Sequence, residues 1–286
     1  MRRNLMARSD WHRPSPEKFA VSEGMRRLAM EVAYNGSGFS GWQIQSGQRT
    51  VQQTLGDAVS SFLGFPVVVF GSGRTDSKVH AMGQVCHFDV PDSCVIPPSA
   101  FEHALILPPD ITVRRCYDAP PLFHSRFSAM AREYRYLVRS CKDFTCFENG
   151  LSAKVKNLPP LDLMQSYAGL IKGTHDFSSF CASGDLSESH FRDIYESEFL
   201  IEDSVYGGKV LVYRITGNAF LYHMVRSLVG TMLALAQTMA PKEKFSQILE
   251  SKDRSQALDT AKPEGLYLWR ISFDEDEFKW FEEECQ

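Results

Sequence analysis

The amino-acid sequence predicts an α+β protein of two tandem ferredoxin-like (βαββαβ) subdomains. Their mostly antiparallel strands are expected to join in one sheet, with helices on one face and a basic cleft on the other. Two observations predict this. Over residues 28–117 the hydrophobic period switches between 2 and 3.6 in the order strand, helix, strand, strand, helix, strand. Residues 132–273 run through the same order again with one extra helix.

Each element has its own local cause. Leu28, Met30, Val32 and Tyr34 alternate as in a strand. Thr50 and Gln53 form a capping-box pair ahead of Val51, Leu55, Val59 and Phe62, a helical stripe that Gly64 can end. Residues 67–70 and 85–90 read as short buried strands, residues 99–106 as a helix after two prolines, and residues 111–117 as a strand. In the second half, residues 132–139, 194–201, 210–216 and 266–273 read as strands. Helices are expected at residues 161–172, ended by Gly173, at 220–239, and after Pro241. The expected division is therefore a flexible extension over residues 1–24, an N-terminal subdomain over 25–118, a C-terminal subdomain over 119–273, and an acidic tail over 274–286.

With 286 residues, 43% of them apolar, the chain can bury a substantial core. No segment approaches the roughly 20 apolar residues of a membrane span. Residues 1–24 are polar and carry no apolar leader core, so a cytoplasmic setting is expected. The seven cysteines are odd in number and scattered, which suits reduced thiols. Cys141 and Cys146 lack a second pair, and His80, Cys86 and His87 do not have zinc spacing, so no metal is expected. The formal charge of −4 hides an uneven distribution. The tail from Asp274 carries a net −6, which leaves +2 on the rest, and Arg114, Arg115, Arg126, Arg132, Arg135, Arg139 and Lys142 cluster in under thirty residues. A solvated surface and a phosphate-binding one both fit that cluster.

Four motifs carry the chemistry. GSGFSG, residues 36–41, has the glycine spacing of a dinucleotide loop, but the following Trp42-Gln43-Ile44-Gln45 does not open a helix. It reads instead as a turn that lets Trp42 approach something closely. GSGRTDSKVHAMGQ, residues 71–84, places Arg74 two residues from Asp76 behind paired glycines. A lone Asp there is an ordinary turn former; beside a guanidinium it is also a candidate nucleophile or base. On the strand through residues 132–136, Arg132, Tyr134 and Tyr136 share one face. Arginine and aromatics on a sheet face hold unstacked RNA bases, and they also occur on half-buried strands with snorkelling arginines. Arg226 lies inside an apolar helix and needs an acidic partner, with Asp76 one candidate.

Together GRTD…VHA.GQV, FHSRFSA.AR.YRY, GTHDFSSF, FLYHMVR..VG and KPEGLYL, spread from Leu28 to Phe273, resemble the TruA-type tRNA pseudouridine synthases. The resemblance implies a cofactor-free, metal-free isomerase acting as a homodimer on uridines 38, 39 and 40 of the tRNA anticodon arm. It makes Asp76 the catalytic residue and Arg74 the arginine that helps flip the base. Tyr134 would pack on the uracil and Arg226 would pair with the carboxylate, while His80 and Gln84 are carried as further substrate-binding residues. A non-catalytic tRNA-binding or folding module on the same scaffold is the alternative. Two departures stand out: Asn35 where the family has Asp, and Ser77-Lys78 where it has Ala-Gly. A lysine at 78 implies a backbone outside the glycine-only region.

Overall fold

The structure, a computed structural model, describes residues 15–273. Its elements are β1 (Met25–Tyr34), α1 (Val51–Leu63), β2 (Phe70–Gly71), β3 (His80–Pro91), α2 (Ala100–His103), β4 (Ile111–Ala119) and β5 (Ala129–Ser140). They continue with β6 (Ala153–Val155), α3 (Leu161–Ala168), β7 (Gly173–Asp176), β8 (Phe191–Asp203), β9 (Lys209–Gly217), α4 (Met224–Gln237), α5 (Lys242–Ser251) and β10 (Leu266–Phe273). The fold class is the predicted α+β, with mostly antiparallel strands. Backbone contacts divide the described residues into two compact units: 15–132 with 267–273, and Glu133–Leu266. The expected acidic tail lies outside the described residues, as do residues 1–14 of the expected extension.

In the first unit β1 pairs antiparallel with both β3 and β4, and β2 pairs antiparallel with β3. The resulting order β4-β1-β3-β2 is that of a split βαβ pair. The last strand returns to this unit, where Tyr267 and Leu268 run parallel to His80 and Ala81. α1 and α2 meet through Phe62 and Phe101, whose ring centroids are 5.3 Å apart, and Phe101 packs on Phe88 of β3. The reverse face is not bare. His87 is buried there under the segment carrying Phe123 and Ser125, with 2.9 Å between His87 Nδ1 and Ser125 Oγ.

The expected strand at 67–70 shrinks to Phe70–Gly71, and Val68 is 61% exposed. Its backbone bonds go to side chains of α1 instead of a ladder: Gln52 Nε2 donates to Val69 O (2.8 Å), and Val67 N donates to Ser60 Oγ (2.9 Å). The expected helix at 99–106 keeps one turn, because Pro108 and Pro109 close behind it and Ile106 points to solvent. The described part of the N-terminal extension carries a 3₁₀ turn, Pro16–Phe19, whose Phe19 stacks on Phe127 at 4.5 Å.

In the second unit the order is β5-β9-β8-β7, with β6 parallel to β5. Phe245 of α5 packs on Tyr167 of α3 and on Phe180. α3 stops at Ala168 in a 3₁₀ turn before Gly173, and α4 starts at Met224, later than the apolar run suggests. The delay has a local cause: His223 sits in a left-handed conformation, and the Tyr222 N–H is taken by Asp185 Oδ2 at 2.6 Å.

Candidate active site

The loop over residues 71–80 is held from several sides. Ser72 N donates to Val85 O at 2.8 Å, and Ser72 Oγ donates to Ser125 O. Trp42 N donates to Thr75 O at 3.0 Å, and the Thr75 hydroxyl meets the Tyr34 phenol at 2.7 Å in a buried pair. Lys78 N (3.2 Å) and Ser77 Oγ (3.3 Å) both donate to Phe39 O. The GSGFSG segment is therefore the bed of the Asp76 loop, not a nucleotide turn. Its glycines serve close approach: a Cβ on Gly41, at φ 92°, would sit 2.7 Å from Thr75 O. Across the loop, a Cβ on Gly71 would sit 2.5 Å from the indole of Trp42. Sequence reasoning found the Trp42 approach but not its target, which is the Asp76 loop itself.

Within this frame Asp76 is half-buried, while Arg74 and Lys78 are exposed. Val79 N donates to Asp76 O at 3.1 Å, closing a four-residue turn with Lys78 as its third member. Lys78 has φ 65°, which corrects the expectation drawn from its side chain. The position does use the left-handed region where a glycine is at ease, and the lysine occupies it regardless. The other departure changes little, since Asn35 Oδ1 accepts from Ser37 N at 3.0 Å, a bond an aspartate would make equally.

His80 and Gln84, expected to touch substrate, are 1% and 0% exposed. His80 Nδ1 accepts from Gly36 N at 3.0 Å, and its ring stacks on Tyr267 at 4.5 Å. Gln84 Nε2 donates to Gly73 O at 2.8 Å. Both therefore brace loop backbone. Tyr134 and Arg226 belong to the second unit. Tyr134 lies on the buried face of β5 with Tyr136, as the alternation predicts, and meets Phe220 edge-on at 5.1 Å. Half-buried Arg226, in the first turn of α4, donates through Nε to Ala261 O at 2.9 Å.

The cation cluster read from sequence is largely spoken for inside each unit. Arg114 pairs with Glu31 (2.8 Å), Arg135 with Glu133 (2.7 Å), and Arg139 with Glu148 (2.6 Å). Arg132 donates to Ser72 O and Arg126 O, within the frame of the loop. Arg126 differs: burial, and then the like charge of Arg74, lower its pKa.

Behind the loop, His87 and His124 make an edge-on contact at 4.6 Å. Burial, then His124 and Arg27, push His87 down to about 2; burial, then Arg27 and Arg126, push His124 down to about 4. Sequence reasoning missed this pair, although FHSRF carried the signal.

One group of metal-type ligands comes together among the described residues: Cys181, Asp185 and His190 of the second unit, with ligand atoms within 4.8 Å of one another. Both Asp185 oxygens already accept backbone N–H groups, from Ser187 (2.7 Å) and Tyr222 (2.6 Å). Arg192, bonded to Ser189 O and Ser187 Oγ, adds a positive charge that disfavours a cation. The network locks a loop.

The family model described as tRNA pseudouridine synthase matches residues 30–128 and 168–274. The chain is 40% identical over 257 residues to tRNA pseudouridine synthase A of Exiguobacterium sibiricum, covering 88% of this chain and 98% of that protein. It is 41% identical over 253 residues to the protein of that name from Anoxybacillus flavithermus, covering 87% and 100%. With that of Treponema denticola it shares 38% over 266 residues, covering 91% and 97%.

Proposed function

The chain belongs to the tRNA pseudouridine synthase family, and from that premise we propose that it isomerises uridines 38, 39 and 40 of the tRNA anticodon arm, with Asp76 as the catalytic carboxylate. The conversion breaks the N1–C1′ bond, turns the uracil and forms the C5–C1′ bond. N1 gains a proton and C5 loses one, so the reaction is balanced without a redox partner. The observation that carries the assignment is the loop itself. A half-buried carboxylate sits on a backbone braced at Ser72, Thr75, Ser77 and Lys78, with the exposed Arg74 two residues away.

Each residue then has a task. Asp76 adds to the sugar or to the base, or takes a ribose proton; an ionised carboxylate serves all three routes. The base must leave its stack, at a cost of a few kcal/mol, and Arg74 fills the space it vacates. Tyr134 stacks on the uracil and assists removal of the C5 proton, and Arg226 pairs with the carboxylate. His80 and Gln84 act as positioning residues, because their hydrogen bonds end on the backbone of Gly36 and Gly73. The homodimer implied by the resemblance and the cytoplasmic setting expected from the sequence are part of the same proposal, and light scattering of the purified protein tests the first.

The test is release of the C5 tritium from tRNA labelled with 5-tritiated uridine. Wild type should release label, and Asp76→Asn should release none while still binding tRNA. Equal release by both would remove Asp76 from the mechanism; none from either, with tRNA bound by both, would leave a binding module.

A further inference from the structure

The cations of the first unit differ in their partners. Arg26, Arg27, Arg49 and Arg114 each meet a carboxylate, those of Asp118, Asp89, Asp110 and Glu31, at 2.5 to 2.8 Å. Arg74 and Lys78, either side of Asp76, make no ion pair among the described residues, and both are exposed. The like charge of Arg74 lowers the Arg126 pKa, after burial has done so. Exposed cations with no counter-ion among the described residues suit an anionic ligand.

Lys78 adds a second, independent sign. It occupies the third position of the Asp76–Val79 turn at φ 65°, where a glycine would sit without strain. Among the described residues the lysine side chain makes no hydrogen bond, and its backbone N–H bond to Phe39 O would be made by any residue. The strained position thus carries a side chain with no hydrogen bond or ion pair among the described residues. The chemistry that a flexible, solvated ammonium recognises beside a catalytic carboxylate is a phosphodiester.

We propose that Lys78 contacts a backbone phosphate of the RNA next to the target uridine, a cation added by this chain at a turn position suited to glycine. The contact rests on the tRNA reading given above. It positions the strand and carries no base specificity. Arg74 is left for the vacated base site, so the two cations divide the work.

The experiment is equilibrium binding of an unmodified tRNA transcript, with uridine in the anticodon arm, between 50 and 200 mM salt. Wild type is compared with Lys78→Gly, Lys78→Gln and Lys78→Arg. Loss of one phosphate contact should make the log–log salt slope shallower by about 0.7–0.9 in the Gly and Gln variants, with Arg keeping the wild-type slope. Lys78→Gly should hold or raise Tm, by up to about 4 °C, so weaker binding cannot come from unfolding. If wild type binds while both neutral variants keep its slope, this inference alone is overturned. It is overturned equally if only the Gly variant weakens, since the backbone and not the charge would then be responsible. A wild type that binds no transcript overturns the functional reading as well.

Discussion

Gly71→Ala tests the bracing of the Asp76 loop most severely. Trp42 is 2% exposed, and its indole fills the space in front of Gly71, so an added Cβ would lie 2.5, 2.6 and 2.8 Å from three of its ring atoms. Neither side gives easily. Trp42 is tied to Thr75 O through its own N–H, and Ser72 is tied to Val85 and Ser125. Overpacking of this kind costs about 1–3 kcal/mol. For a chain of this size that is roughly 2–4 °C in Tm per kcal/mol. Relief by a shift of the loop displaces Asp76, and a misplacement of about 1 Å in a reacting group costs on the order of 100-fold in rate. The assay is tritium release at saturating tRNA beside a thermal melt, repeated in Trp42→Phe and in the double variant. Trp42→Phe should restore part of both losses, which gives a coupling between the two sites. A Gly71→Ala protein with wild-type Tm and wild-type rate would refute the claim that Trp42 wedges the loop.

Other outcomes follow from the same geometry. Tyr34→Phe removes a buried hydroxyl pair with Thr75 and should cost about 1 kcal/mol in denaturant unfolding, with a larger fractional loss in rate than in stability. His87 is held neutral in the folded protein at about 2, against about 6.5 when unfolded, so below pH 6.5 the unfolded chain binds the extra proton. Stability should therefore fall as pH drops from 6.5, by at most about 1.4 kcal/mol per pH unit from His87, with His124 adding to it down to about 4. Melts from pH 7 to 4 should show a shallower fall for His87→Asn, and equal slopes would remove the histidine pair as the cause. Glu148→Gln leaves the buried Arg139 without its counter-charge and should cost about 3–5 kcal/mol, whereas Asp203→Asn, at the exposed pair with Lys209, should cost less than about 1 kcal/mol. Urea titrations of the two variants compare them directly.

The parts of this protein that depend on neighbours in sequence were legible in advance. The cap at Thr50, the stripe of α1, the shared face of Arg132, Tyr134 and Tyr136, and the full extent of β10 come from local periodicity and capping chemistry. What depends on distant chain was not. The apolar residues 67–70 look like a strand until Gln52 and Ser60 take their backbone bonds. Arg114, Arg135 and Arg139 look like a phosphate surface until Glu31, Glu133 and Glu148 meet them. Lys78 shows the limit most clearly: a side chain names the conformation a position prefers, while the turn around it decides the one it has. At the site, the motif residues could be named from sequence. That His80 and Gln84 face loop backbone follows from β3 running into the interior, which no local pattern carries.

The most direct test of the central claim is to map pseudouridine on a tRNA transcript after incubation with the purified protein, by carbodiimide modification and primer extension. Wild type should produce stops at uridines 38, 39 and 40 and nowhere else, and Asp76→Asn should produce none while binding the same transcript. Stops that persist with Asp76→Asn, or that fall outside the anticodon arm, would contradict it.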